Sequence, residues 1–263
     1  MTINLKKFLS PNKKTSKMGD YQELKDIEGL HVSAVSANLY KNGRDDLSLF
    51  YFPDGSNYAV AYTKNSIVSE SIVWNKKNAK SSIKALIINT KNANTFTGDQ
   101  GLNSLDDIAK TLLESLKILE KENGYEKTKL KDILFASTGV IGEQFPLEKI
   151  KTNISNLVSN LKINQNKLIW LKVATAIMTT DTKPKVAYAE IKLGDKKVRI
   201  AGIAKGSGMI APNLATMFSF IFTDADITSV VLKKYLSKVL KNTFNAITVD
   251  SDTSTNDMVA IFA

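Results

Sequence analysis

Lys205, Gly206, Ser207, Gly208, Pro212 and Thr216 lie within one stretch, KGSGMIAPNLAT, directly ahead of the apolar run MFSFIF (217–222). Gly206 and Gly208 open backbone conformations closed to other residues, and Pro212 fixes its own φ near about −65°. The run after Thr216 is short, apolar and free of breakers, so it reads as a buried strand. A hydroxyl where a bent loop meets a core strand is well placed for a positioned nucleophile. On residue types alone, however, a glycine turn with a surface threonine is the better reading.

A hydroxyl nucleophile needs a base. The chain has no cysteine and one histidine, His31, within GLHVSAVSAN, which reads as a half-buried strand. Acyl chemistry here must therefore draw on a lysine or a chain-terminal amine. Ser137-Thr138-Gly139 sets a hydroxyl beside a glycine whose N–H can be approached closely, as an oxyanion hole requires. Four polar loops, 90–101, 137–142, 179–183 and 205–216, each follow an apolar segment and are where a site would be built. A phosphate-loop reading of Gly206-x-Gly208 fails, because the lysine precedes the glycines and no strand-turn-helix unit surrounds them. The acidic run Asp250, Asp252, Asp257 lacks the glycine and terminal glutamate of a calcium loop and reads as turn or cap residues. No metal or cofactor is expected.

The 263 residues carry a net charge of +10. Only Arg44 and Arg199 are arginines among the 36 basic residues, which are scattered along the chain. Sequence-specific nucleic-acid contacts favour clustered guanidinium groups, so a solvated lysine surface compatible with an acidic small substrate is the better reading. No nucleic-acid or membrane partner is expected: no apolar stretch reaches the roughly 18 residues of a span, and the basic N-terminus lacks a signal-peptide core. The expected location is cytoplasmic.

Alternating strands and helices predict an α/β fold with mixed sheets and packed helices. Strands are expected at HVSAV, DLSLFYF and YAVAYT, separated by Asn42-Gly43 and Asp54-Gly55 turns, and at KALIIN (84–89). A helix capped by Ser104 follows, then a strand at 132–137. A second helix begins near Pro146 and a third covers 168–178. A hairpin at 186–203 turns at Gly194-Asp195 and delivers the chain to the central loop. After the 217–222 strand, a helix capped by Asp226 is expected to bury Val230, Tyr235, Leu236, Val239 and Leu240, with a further strand starting at 246–249. Residues 1–25 read as a poorly ordered lead.

KGSGMIAPNLATMFSFIFTDA (205–225) closely resembles the self-cleaving segment of the ornithine acetyltransferase family, also called glutamate N-acetyltransferase. The likeness continues through KNGRDDLSLF (41–50), INTKNANTFTGDQGL (88–102), ASTGVIGEQFPLEKI (136–150), AIMTTDTKPK (176–185) and VDSDTSTND (249–257). The resemblance implies that the precursor cuts itself between Ala215 and Thr216, dividing an α-chain region (26–215) from a β-chain region (216–263). It implies Thr216 as nucleophile with its freed α-amine as base, and Thr138 and Gly139 as the oxyanion hole. Thr182, with Thr180 as the other candidate, Lys205 and Thr216 are implied as substrate-binding residues.

The implied reaction is ping-pong: N-acetylornithine acetylates Thr216, ornithine leaves, and glutamate takes the acetyl group. Acetyl-CoA is a further substrate for some members, and the family's chains pair into a heterotetramer. The family's β chain is usually much longer than 216–263, and the sequence stops inside the apolar run MVAIFA. It therefore reads as truncated, with weak self-cleavage expected of these residues alone. An amidase or aminopeptidase using the same threonine, and an inactive fragment, are the alternatives.

Overall fold

The structure is a computed structural model and describes residues 24–80, 82–211 and 217–263. Among the described residues eight strands are hydrogen-bonded together: β1 (His31–Val35), β2 (Leu47–Tyr62), β3 (Ser82–Asn89), β4 (Ile133–Ser137), β5 (Lys185–Leu193), β6 (Lys196–Lys205), β7 (Phe218–Thr223) and β8 (Met258–Phe262). Their order is β4-β3-β2-β8-β7-β6-β5, with β1 also paired to β2. The helices are α1 (Glu70–Asn78), α2 (Gly98–Asn123), α3 (Leu147–Lys151), α4 (Ile154–Ser159), α5 (Lys167–Ala176) and α6 (Ser229–Leu240). The expected α/β class, with mixed sheets and packed helices, is what the chain adopts.

β2 organises the architecture. Its first half pairs with β1 and β3, and its second half, Tyr58–Tyr62, pairs with β8. Asp54-Gly55 was expected to reverse the chain between two strands. Instead it lies inside one long strand, where the β3 register shifts between Tyr51 and Ser56 and Gly55 takes φ +79°. A bulge that bends the strand serves because the next partner, β8, comes from far along the chain.

β2 thus joins two sheets, one with β1, β3 and β4 and the other with β5 to β8, which face each other across an aromatic core. Phe218, Phe220 and Phe222 alternate onto one face of β7, as a period of two requires. Phe222 stacks on Phe50 of the other sheet at 4.7 Å between ring centroids and on Phe262 of β8 at 5.5 Å. α5 adds Trp170, Val173 and Ala174 to this core. On the far side of β3 and β4, α2, α3 and α4 bury Leu105, Ile108, Leu112, Ile150 and Leu157 in a second core.

Several expectations need correction. β1 is buried along its whole length rather than on one face, since helices and β2 cover it. α1 gave no apolar periodicity because it buries Glu70, Ser71 and Asn75 together with Ile72 and Trp74. Asn75 accepts from Phe135 N and donates to Phe135 O, at 2.9 and 2.8 Å, and so covers the edge of β4. α2 begins at Gly98, not at Ser104, which is buried within it. Its start is anchored by Glu70, whose Oε1 accepts from Thr97 N and Gly98 N at 3.0 and 2.7 Å.

The helix after Pro146 is broken into α3 and α4. α6 is capped by Thr228 rather than Asp226, and it buries Leu232 and Leu240 while Val230, Tyr235 and Val239 stay exposed. The buried stripe is the narrow i, i+4, i+8 row through Leu236. No strand starts at 246–249; a single 3-10 turn, Phe244–Ala246, occupies that point. Residues 1–23 of the expected lead lie outside the described residues, and Leu24 is already in the core.

Candidate active site

The loops picked out as chemistry-bearing meet at one end of the two sheets. β7 and β8 run parallel and side by side, so the segment before β8 reaches the start of β7. There Asp257 Oδ1 accepts the Met217 N–H at 2.7 Å. The preceding Asn256 sends its amide to Ala93 O at 2.6 Å and to Ser137 O at 2.7 Å. Asn256-Asp257 thus ties the residue after Thr216 to the 137–139 turn and to the 90–95 loop. Thr216 itself, with Pro212 and Ala215, lies outside the described residues.

The 137–139 turn continues β4. Thr138 is buried, and its N–H goes to Asn89 O at 3.1 Å, while Val140 N–H goes to Lys91 O at 2.9 Å. Between them Gly139 is exposed with φ +142°, and its N–H makes no hydrogen bond among the described residues. A Cβ there would land on the Lys91 and Asn92 backbone, so only glycine fits. Lys91 has φ +74°, which the turn in the facing segment requires.

Lys205 is the last residue of β6, on the face that carries Ala201 and Ile203 into the core. It is 3% exposed and lies opposite Phe218 in register, with its ammonium 5.4 Å from that ring's centroid. Its Nζ donates to Thr179 Oγ1 at 3.4 Å. Burial pulls its pKa down to about 8, against the opposing pull of Asp181 and Asp257. Burial likewise pushes Asp257 up to about 7, although the Met217 N–H and Lys205 favour its ionised form.

Asp181 and Asp250 strap the glycine loop. Asp181 Oδ1 accepts from Gly206 N at 2.8 Å and pairs with Lys185. Asp250 accepts from Met209 N and Ile210 N at 2.6 and 2.8 Å, which holds its pKa below the usual value. The acidic run was expected to serve as turn or cap residues; Asp250 instead holds the backbone of a loop about 40 residues earlier. Thr180 Oγ1 meets Ser207 Oγ at 3.2 Å, whereas Thr182 is exposed beyond Asp181. Of this segment it is Thr179 that touches the lysine. His31 is remote from all of this, edge-on to Tyr51 and Tyr125.

A sequence profile of the ArgJ family matches residues 31–263. The chain belongs to the ArgJ family. The arginine biosynthesis bifunctional protein ArgJ of Gluconobacter oxydans is 40% identical over 92% of the chain, and that of Bartonella quintana is also 40% identical over 92%. The chain spans about half the length of these relatives, 54% and 56% respectively. A crystal structure of ArgJ from Bacillus halodurans superposes with TM-score 0.62 at 26% identity, covering 73% of this chain and 96% of that one. Ornithine acetyltransferase from Mycobacterium tuberculosis, complexed with ornithine, gives 0.59 at 25% identity, covering 74% and 99%. An L-aminopeptidase D-Ala-esterase/amidase from Ochrobactrum anthropi shares the fold alone, at TM-score 0.55 and 8% identity.

Residue-type reasoning missed Asn256, Asp257 and Asp181 as residues that tie this corner together. The available signal was Asp257 immediately before the apolar run MVAIF, where a carboxylate must be buried for a reason. Among the described residues no group of three or more His, Asp or Glu side chains is arranged to hold a metal. No helix among them is long and apolar enough to cross a membrane.

The buried lysine makes one prediction directly. An unfolded lysine keeps its proton to about 10.5 and the folded Lys205 only to about 8, so the unfolded chain binds more protons in between. Stability should therefore rise with pH, by about 1–2 kcal/mol from about pH 8 to 9.5. Above that, buried Tyr51 and Tyr62, whose pKa values burial raises, pull the other way. Urea midpoints across this window should rise for the parent protein and stay flat for Lys205→Met; equal slopes would contradict the assignment.

Proposed function

We propose that this chain carries the α side and the nucleophile of an enzyme that moves an acetyl group from N-acetylornithine to glutamate. The observation that carries the reading is the match to the ArgJ family across 31–263, with Lys205, Gly139 and Met217 brought to one end of the sheets. Thr216, freed by self-cleavage after Ala215, attacks the acetyl carbonyl while its α-amine takes the hydroxyl proton. An amine of ordinary pKa about 7.7–8.0 is partly neutral near pH 7 and suits that task.

The Gly139 N–H and the Thr138 hydroxyl receive the oxyanion. The Lys205 ammonium, with Thr182 or Thr180 beyond it, binds the substrate's carboxylate. Ornithine leaves, glutamate enters, and the acetyl ester is transferred to its amine. No cofactor is needed, and acetyl-CoA would be an alternative acetyl donor. Pairing of the α and β chains into a heterotetramer and a cytoplasmic setting accompany this reading.

Transfer and hydrolysis differ only in which nucleophile reaches the acetyl-threonine. The likeness to the Ochrobactrum enzyme concerns the fold alone and does not favour hydrolysis. With the protein expressed to its own stop codon and given N-acetylornithine, N-acetylglutamate should form when glutamate is present. Free acetate at the same rate with or without glutamate would make the protein an amidase, and no turnover would leave it a binding remnant.

A further inference from the structure

We propose that the cleft between α2 and α4 is a second small-molecule site, one that takes an organic amine with an apolar, hydroxyl-bearing body. The cleft has a volume of about 420 Å³, the size of a pocket that holds a small ligand. It lies apart from the candidate active site. His31, which opens β1 and lines the cleft, stands opposite Tyr51 in register, whereas the 137–139 turn lies beyond the Leu47–Asn89 end of the same sheet. The inference is therefore independent of the proposed acetyl transfer.

The floor of the cleft holds a polar group with nothing to bond. His31 is 7% exposed, and its imidazole sits edge-on to Tyr51 and Tyr125, 5.9 and 6.1 Å between ring centroids. Neither ring nitrogen has a hydrogen-bond partner among the described residues. Burial pulls its pKa below the ordinary 6.5, against the opposing pull of Asp54, so the ring is neutral at pH 7. A neutral imidazole offers one donor and one acceptor. A buried polar group without a partner is uncommon, and the cleft is the side from which a partner can reach this one.

The walls specify the rest of the ligand. α2 lines the cleft with Glu114, Ile118 and Glu122, which share one helix face at i, i+4 and i+8. Ile118 is 64% exposed, and Ile163, on the segment after α4, is 61% exposed. A ligand's apolar body would cover surface that now meets water. The chain carries a net charge of +10, yet no lysine or arginine is among the described residues that line the cleft. The carboxylates of Glu114 and Glu122 are the charges there, and they attract an ammonium and repel an anion. The fitting ligand carries an ammonium at the rim, an apolar middle, and a hydroxyl that reaches the imidazole.

The test uses the protein expressed to its own stop codon and tyramine as the probe. Phenethylamine lacks the hydroxyl, and 3-(4-hydroxyphenyl)propionate exchanges the ammonium for a carboxylate. The imidazole NMR signal of His31 is assigned by its loss in His31→Phe. Tyramine should shift that signal saturably, with a Kd below about 1 mM. Phenethylamine should bind about fivefold more weakly and the propionate at least about tenfold more weakly.

Binding to variants is followed on the ligand's own signals. His31→Phe keeps a ring between the two tyrosines and should erase the difference between tyramine and phenethylamine. Glu114→Gln combined with Glu122→Gln, both exposed on α2, should weaken both amines about fivefold at low salt and remove the preference over the propionate. An imidazole signal unmoved by tyramine, or moved equally by the propionate, overturns the proposal. If His31→Phe does not fold, the paired glutamate variant decides alone, and unchanged amine affinity is then the contrary result.

Discussion

Thr216→Ala is expected to leave the chain uncut after Ala215 and to lower acetyl transfer by more than about 10⁴-fold, because in the proposed function one hydroxyl performs both reactions. In self-cleavage the Thr216 Oγ attacks the Ala215 carbonyl, the C–N bond breaks to give an ester, and water hydrolyses it. The chain on either side of 212–216 is pinned. Asp250 grips the N–H groups of Met209 and Ile210 on one side, and Asp257 grips Met217 on the other. Fixed ends restrict the chain between them, which lowers the entropy cost of the intramolecular attack proposed here. Thr216→Ser keeps the hydroxyl and should still cut and transfer. Intact mass and N-acetylglutamate formation check both variants, and a Thr216→Ala protein that retained transfer would end the assignment.

Gly139→Ala should be the next most damaging change. The turn holds φ +142° at this position, and a Cβ would collide with backbone atoms of Lys91 and Asn92 that cannot rotate away. The collision would displace the unpaired Gly139 N–H from its aim. Loss of one such donor costs about 10²–10³ in rate. Thr138→Ala removes only a hydroxyl and should lose a similar factor while leaving the turn in place. The two are separated by stability: Gly139→Ala should lower the urea midpoint and Thr138→Ala should barely change it. A Gly139→Ala enzyme with parental kcat would place the oxyanion elsewhere.

Elements marked by apolar runs or by turn residues were legible in the sequence: β3, β4, β7 and α5 lie at the apolar runs, and the β5–β6 hairpin lies about its Gly194-Asp195 turn. Polar burial was not legible. α1 packs Ser71 and Asn75 against β4, so its pattern resembles a loop, and α2 takes its start from Glu70, 28 residues before Gly98. Asp54-Gly55 is chemically a turn, yet the distant β8 makes it a bend within β2. At the site, the glycine loop and Lys205 could be picked out from residue types. Asp257 could be marked for burial by the apolar run after it, but its contact with Met217 could not be foreseen, because that depends on β8 lying parallel to β7, a pairing between segments 40 residues apart in sequence.

The central claim is that Thr216, as a free N-terminus, carries the acetyl group. The most direct measurement is intact mass of the protein, expressed to its own stop codon, after brief mixing with N-acetylornithine in the absence of glutamate. The account predicts two fragments, one ending at Ala215 and one beginning at Thr216, with a single acetyl group on the second that disappears when glutamate is added. Acetyl transfer by a chain still continuous through 215–216, or an acetyl group held on any other residue, would contradict it.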